Sequence, residues 1–149
     1  MAACGEGGAA PGTTTTMTDS TTTSVADPLA RFPTRTVTVS GEAWRVVVAD
    51  TSELRGQGLM GVTDLGAFDG MLFVWGEDVS SGFWMRDTLI PLDVAFFTVD
   101  GVLVDLVTMT PCETDPCPVY RPAGPYRYAI ETDVGRWDAI DRPGLTLGG

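Results

Sequence analysis

From residue 36 onward the chain alternates apolar and polar side chains in short runs. Thr36-Val37-Thr38-Val39-Ser40 and Ala43-Trp44-Arg45-Val46-Val47-Val48-Ala49 each carry the alternation of a half-buried strand. Gly41-Glu42 between them is a tight-turn signal, so the pair predicts a β-hairpin. Asp50 with Glu53 reads as a capping box that opens a short helix running toward Met60, weakened by Gly56, Gly58 and Gly61. Gly70-Met71-Leu72-Phe73-Val74-Trp75 is a wholly apolar run, the pattern of a buried strand, and Gly76-Glu77-Asp78 after it predicts a turn. A further strand is expected over 82–86. Ile90 before Pro91 is pushed to extended geometry and makes 88–91 a connector. Residues 92–99 and 102–109 form a second hairpin around Asp100-Gly101. Residues 111–125, with several prolines and two cysteines, are expected to form an ordered loop. Residues 126–132 alternate again, 134–140 suit one or two helical turns, and 144–147 a last short strand. The sum is about eight short strands and one or two small helices. Hairpins dominate and no strand–helix–strand alternation is visible. The expected fold is therefore mainly β (α+β), a compact antiparallel, barrel-like curled sheet.

The stretch that departs most from simple alternation is Phe83-Trp84-Met85-Arg86-Asp87-Thr88-Leu89-Ile90-Pro91-Leu92-Asp93-Val94-Ala95-Phe96-Phe97. Charged groups so close to bulky apolar ones must be partnered or face water. Arg55, Arg86, Asp87, Thr88, Asp93 and Glu131 make the candidate ligand-binding set. An Arg would hold a carboxylate or a sugar hydroxyl, with Asp93 or Glu131 as acceptor. The competing reading is a structural network, with a partly buried ion pair fixing the helix and the connector on the sheet. Asp93 and Glu131 are also weighed as the carboxylate pair of a glycoside hydrolase, which needs a set separation across a cleft.

Composition narrows the chemistry. The 149 residues favour one folded domain. All nine basic residues are Arg, against 20 acidic ones, for a net charge of −11, so nucleic acid is not an expected partner. With no His in the chain, Ser-His-Asp and Cys-His catalysis and His-ligated metal sites are excluded for the chain alone. No cofactor or metal is expected and no catalytic residue is assigned. Met60, Met71, Met85 and Met109 could bind Cu(I) but suit core filling better. Trp44, Trp75, Trp84, Tyr126, Tyr128 and Trp137 could line a sugar-binding face if several are exposed, and buried they belong to a core. Cys112 and Cys117 are expected to pair as a structural disulfide in an oxidising compartment, rather than to act as a redox pair or zinc ligands.

The N-terminus is a separate matter. Met1-Ala2-Ala3-Cys4-Gly5 resembles the end of a bacterial lipoprotein signal, in which the cysteine becomes the lipidated first residue. Residues 6–27 are rich in Thr, Gly and Ala and lack apolar periodicity, as expected of a flexible tether with a reach of roughly 25 Å. The expected organisation is a lipoprotein-like N-terminus and tether over 1–27 and one β domain over 28–149. The expected location is extracytoplasmic, held at the bacterial cell membrane only through a lipid on Cys4.

Three motifs occur in order: Arg55-Gly56-Gln57-Gly58-Leu59-Met60, Gly70-Met71-Leu72-Phe73 and the stretch from Phe83 to Asp93. With Thr110-Pro111-Cys112, Cys117-Pro118 and Ala129-Ile130-Glu131, they make residues 35–147 resemble the family called domain of unknown function 192. The resemblance implies a small, mostly β, barrel-like domain that is often exported, and it carries no established activity. Gly61 and Asp87 depart from it, standing where a basic residue and an Asn are expected. Anchor, tether, acidic surface and the absence of a catalytic constellation together point to a monomeric, surface-tethered domain. It would bind a small molecule, a carbohydrate or another envelope component without catalysis. The alternatives are a carboxylate-dependent hydrolase of envelope glycans and a structural accessory lipoprotein.

Overall fold

The structure is a computed structural model and describes residues 27–148. The chain divides into two units, 1–30 and 31–149, and the second carries every strand and the helix described below. Cys4 and nearly all of the Thr-rich segment lie outside the described residues.

The domain is mainly β, as expected. Its strands are β1 (Thr34–Val39), β2 (Glu42–Ala49), β3 (Gly70–Val79), β4 (Phe83–Trp84), β5 (Leu92–Phe97), β6 (Leu103–Met109), β7 (Val119–Tyr120), β8 (Tyr126–Asp133) and β9 (Leu145–Thr146), with α1 (Ser52–Gln57) between β2 and β3. Seven strands form one curled sheet in the order β9-β1-β2-β3-β8-β5-β6, and β4 and β7 pair separately. The first hairpin turns on Ser40 and Gly41, one residue earlier than the pattern predicts. Both have positive φ, 48° and 87°, the left-handed pair that matches strand twist in a two-residue loop.

The pairing is not wholly antiparallel. β2 and β3 run parallel, Val46 beside Gly70 through Ala49 beside Phe73, so residues 50–69 with α1 form a crossover. Its signature is invisible in the pattern because α1 has only six residues and no buried face. The cap is Thr51 rather than Asp50: its Oγ1 accepts the Leu54 N–H at 3.1 Å. The Gly58 N–H closes the other end on the Leu54 carbonyl at 2.9 Å. Three further elements differ from expectation. β3 continues through Gly76 to Val79, taking up the irregularity as a register shift against β8 between Val74 and Val79. The strand expected over 82–86 shrinks to Phe83–Trp84 and finds its partner, β7, inside the Pro-rich loop. Residues 134–140 form successive i→i−3 turns, the Asp138 N–H on Gly135 O and the Ile140 N–H on Trp137 O, rather than a helix.

β5 is buried on both sides, and its two faces meet different cores. Ala95 and Phe97 face Val37, Val39, Trp44, Val46, Val48, Leu72, Ile130, Trp137 and Leu145. Trp137 seats against Trp44 with ring centroids 4.8 Å apart. The Arg136 guanidinium covers Trp44 at 4.1 Å while donating to Glu42 and Asp69 at 3.2 Å each. On the other face Phe96 packs edge-on against Phe83 (5.5 Å) and Tyr126 (4.7 Å), and Trp75 against Tyr126 (5.0 Å). The Tyr126 hydroxyl donates to Ser81 O at 2.7 Å. Burial holds that phenol well above the usual tyrosine range.

The two ends of the sheet are brought together. The Leu145 N–H at the β9 edge donates to Gly101 O at 2.9 Å, and Val102 bridges Gly144. The turn of the β5–β6 hairpin thus reaches the far edge strand, leaving the sheet a half-barrel joined at one corner. Cys112 and Cys117 form the expected disulfide, with Cα atoms 5.6 Å apart.

Candidate functional site

α1, the loop behind it, β3, β4 and β8 surround a cavity of about 320 Å³. Its walls are Phe73, Trp75, Phe83 and Trp84, and its polar lining includes Arg55, Thr88 and Glu131. Three of the six residues expected to form a site therefore meet here.

Glu131 is placed by strand register. It lies between Met71 of β3 and Val94 of β5, on the face that carries Phe73 and Phe96, and is 4% exposed. Its carboxyl makes neither a hydrogen bond nor an ion pair among the described residues. The ion pair with Arg that the sequence suggests does not form. Burial raises its pKa from 4.5 to about 8, so at neutral pH the group is mostly the uncharged acid. Arg55 is fixed from the opposite wall. Its NH1 donates to Val74 O at 2.8 Å, and its guanidinium carbon stands 5.4 Å from the Trp75 ring centroid. Gly58, also in the lining, has φ of 49°, and a Cβ there would stand 3.4 Å from the Phe73 ring. The need for glycine there comes from the left-handed φ that ends the helix, the Phe73 ring standing at ordinary contact distance.

Thr88 is buried, and its Oγ1 donates to Arg86 O at 3.2 Å. It is held by a turn at Asp87, whose φ is 54°. Asn and Asp tolerate that left-handed conformation better than other side chains bearing a Cβ. The Gly61 N–H donates to Asp87 O at 2.9 Å. The two positions at which this chain departs from the expected family pattern are therefore hydrogen-bonded to each other.

The other three candidates do not reach the cavity lining. The Arg86 and Asp87 side chains are 55% and 75% exposed, 3.9 Å apart, and such a pair contributes little. Asp93 lies on the opposite face of the sheet. Val94, not Asp93, is the β5 residue beside Glu131, so neighbouring alternation sends the two acids to different sides. They do not form the carboxylate pair of a glycoside hydrolase. Asp93 is 4% exposed and accepts the Thr108 hydroxyl at 2.6 Å and the Gly135 N–H at 2.9 Å. It ties β6 and the 134–140 turns to β5. Asp93→Ala is expected to lose about 1–2 kcal/mol in urea unfolding, because two hydrogen bonds to the carboxylate are lost while the exposed Thr108 and Gly135 donors turn to water, and to leave the cavity unaltered. A loss below about 0.5 kcal/mol would contradict this role.

Of the aromatic walls, Trp75 and Trp84 are among the aromatic side chains that could line a sugar-binding face, and Phe83 opens the stretch that departs most from alternation. Phe73 and Trp75 belong to a run that reads only as a buried strand; their two-residue spacing from Met71 places them on the Glu131 face once register is known. Met71, Met85 and Met109 are buried in the core. Among the described residues no group of three or more His, Cys, Asp or Glu side chains is arranged to hold a metal ion. Among them, too, no helix is long and apolar enough to cross a membrane.

Comparison with known proteins follows the same boundaries. Residues 35–147 match the family model DUF192, described as an uncharacterized ACR. A crystal structure of a protein of unknown function from Novosphingobium aromaticivorans superposes with a TM-score of 0.70 and 29% identity, over 82% of this chain and 89% of that one. One from Sinorhizobium meliloti, described as a "putative transcription regulator", gives 0.68 and 27%, over 79% and 95%. No curated protein matches the chain significantly.

Proposed function

The chain belongs to the DUF192 family, and from that premise we propose that its domain is a non-catalytic module that binds a small ligand in the cavity beneath α1. The observation that carries this reading is Glu131, buried, without a partner among the described residues, and lining an aromatic-walled cavity with Arg55. The Glu131 carboxyl lines that cavity, where a ligand carrying a complementary polar group would pair with it. We place the domain outside the cytoplasm, tethered through residues 6–27 to a lipid on Cys4.

The regulatory role ascribed to the Sinorhizobium protein raises a second reading, control of transcription. The charge of −11 on this chain opposes contact with a phosphate backbone and favours a small ligand instead. The hydrolase alternative loses its support with Asp93 and Glu131 on opposite faces.

Trp75 and Trp84 report on the cavity directly. Titrating the protein with monosaccharides, amines and small carboxylates is expected to change tryptophan fluorescence and raise the melting temperature for one class. Arg55→Ala should abolish both effects. Silence across all three classes would overturn the binding reading. Radiolabelled palmitate should be incorporated at Cys4 in a bacterial host, and its absence would remove the anchor.

A further inference from the structure

Arg55 is the cavity's cationic group, and it has no acid. Among the described residues Arg55 makes no ion pair, a state it shares with Arg35, Arg45, Arg121 and Arg142; what sets it apart is its place in the cavity lining, held by the Val74 carbonyl and the Trp75 face. A guanidinium fixed at the wall of an aromatic-lined cavity offers N–H donors suited to an anion from outside. Glu131 would spoil such a place if ionised. Burial favours its protonated form, and a neutral carboxyl presents an O–H that no group among the described residues accepts.

The other groups around Glu131 do not compete for its proton. Its strand neighbours Met71 and Val94 are apolar, α1 supplies Arg55, and the segment before β5 supplies Thr88, whose hydroxyl proton goes to Arg86 O. A cationic ligand would meet Arg55 with like charge. A neutral sugar would leave the Arg55 charge without a counter-charge, whereas an anion supplies one. At about 320 Å³ the cavity stands at the small end of ligand sites.

We infer, building on the binding reading above, that the ligand is a small carboxylate with a flat or short apolar body. Its two oxygens accept from the Arg55 guanidinium and from the Glu131 O–H, and its apolar part lies among Phe73, Trp75 and Phe83. Binding thus requires the proton on Glu131. Raising the pH ionises Glu131 and sets two carboxylates against each other.

The test is a fluorescence titration of the protein with benzoate and propionate at pH 6 and pH 9.5. The wild type should bind one of them, with affinity falling about 30-fold between the two pH values for a group titrating near 8. Glu131→Gln keeps a neutral donor at every pH, so it should bind within a few-fold of wild type at pH 6 and lose the pH dependence. Arg55→Gln should lose binding at both, with circular dichroism confirming that it is folded. Neutral benzamide should bind at least tenfold more weakly than benzoate. Affinity that rises with pH, or a slope that persists in Glu131→Gln, overturns the inference. If monosaccharides or amines bind and carboxylates do not, the inference falls while the binding reading stands. If no probe binds, both fall.

Discussion

At pH 8.5 the Glu131→Gln variant should melt well above the wild type, and near pH 4 the two should melt close together. The folded protein raises the Glu131 pKa from 4.5 to about 8 by burying the carboxyl where its charge is unsolvated. Between those values the folded state holds a proton that the unfolded chain releases. The wild type therefore loses stability as the pH rises through this window, fully stabilised below the lower value and fully penalised above the upper one. Each unit is worth about 1.4 kcal/mol, so by pH 7 the penalty reaches about 3 kcal/mol. For a domain of this size that corresponds to a melting difference on the order of 10 °C. Gln cannot ionise and escapes it. Gln is also polar and buried, so both side chains bear the cost of a neutral polar group at pH 4, where the curves converge. The rest of the acidic surface repels itself more strongly at high pH in both proteins, and the difference between them isolates position 131. Melting curves from pH 4 to pH 9.5 that stay parallel would mean that Glu131 titrates as an ordinary surface acid.

Gly101→Ala should unfold at far lower urea, with a loss above about 3 kcal/mol. A Cβ at this position would stand 1.9 Å from Leu145 O, and the residue has φ of 82°. The obstacle is backbone, not the end of a flexible side chain, so the β5–β6 turn and the β9 edge must separate. That breaks the Leu145–Gly101 hydrogen bond and the Val102–Gly144 bridge, which join the ends of the sheet. Gly41→Ala is the comparison. It also has positive φ, 87°, but open space around it, so it should cost only about 1 kcal/mol. Equal losses at the two sites would show that backbone conformation alone, and not closure of the sheet, sets the need for glycine at 101.

Much of the architecture is legible in the alternation of residues. The β1–β2 and β5–β6 hairpins follow from it because a half-buried strand must alternate and a two-residue turn needs left-handed residues. The element that eluded it, the parallel β2–β3 pair, is specified by neither strand. Val46–Ala49 is apolar enough to pair in either direction, and a six-residue helix leaves no periodic trace. β7 likewise shows only in the fold, where two residues of the Pro-rich loop pair with Phe83–Trp84. The disulfide was legible from spacing and the expected compartment, since both cysteines lie in one short loop.

The candidate site divides along the same line. That Glu131 ends a run of apolar strand residues, and that Thr88 follows two charged residues beside a bulky apolar stretch, are local facts the chain states residue by residue. Which polar groups share a cavity depends on strand register. One step of register separates Val94 from Asp93, and that step sends one acid to a protein network and leaves the other lining a cavity. Composition and local pattern determined that this protein is a mainly β, acidic domain without histidine chemistry. Only the tertiary structure decided that Glu131 lies unpartnered among aromatic rings, because burial belongs to the packed whole and the charge state of an acid follows from burial.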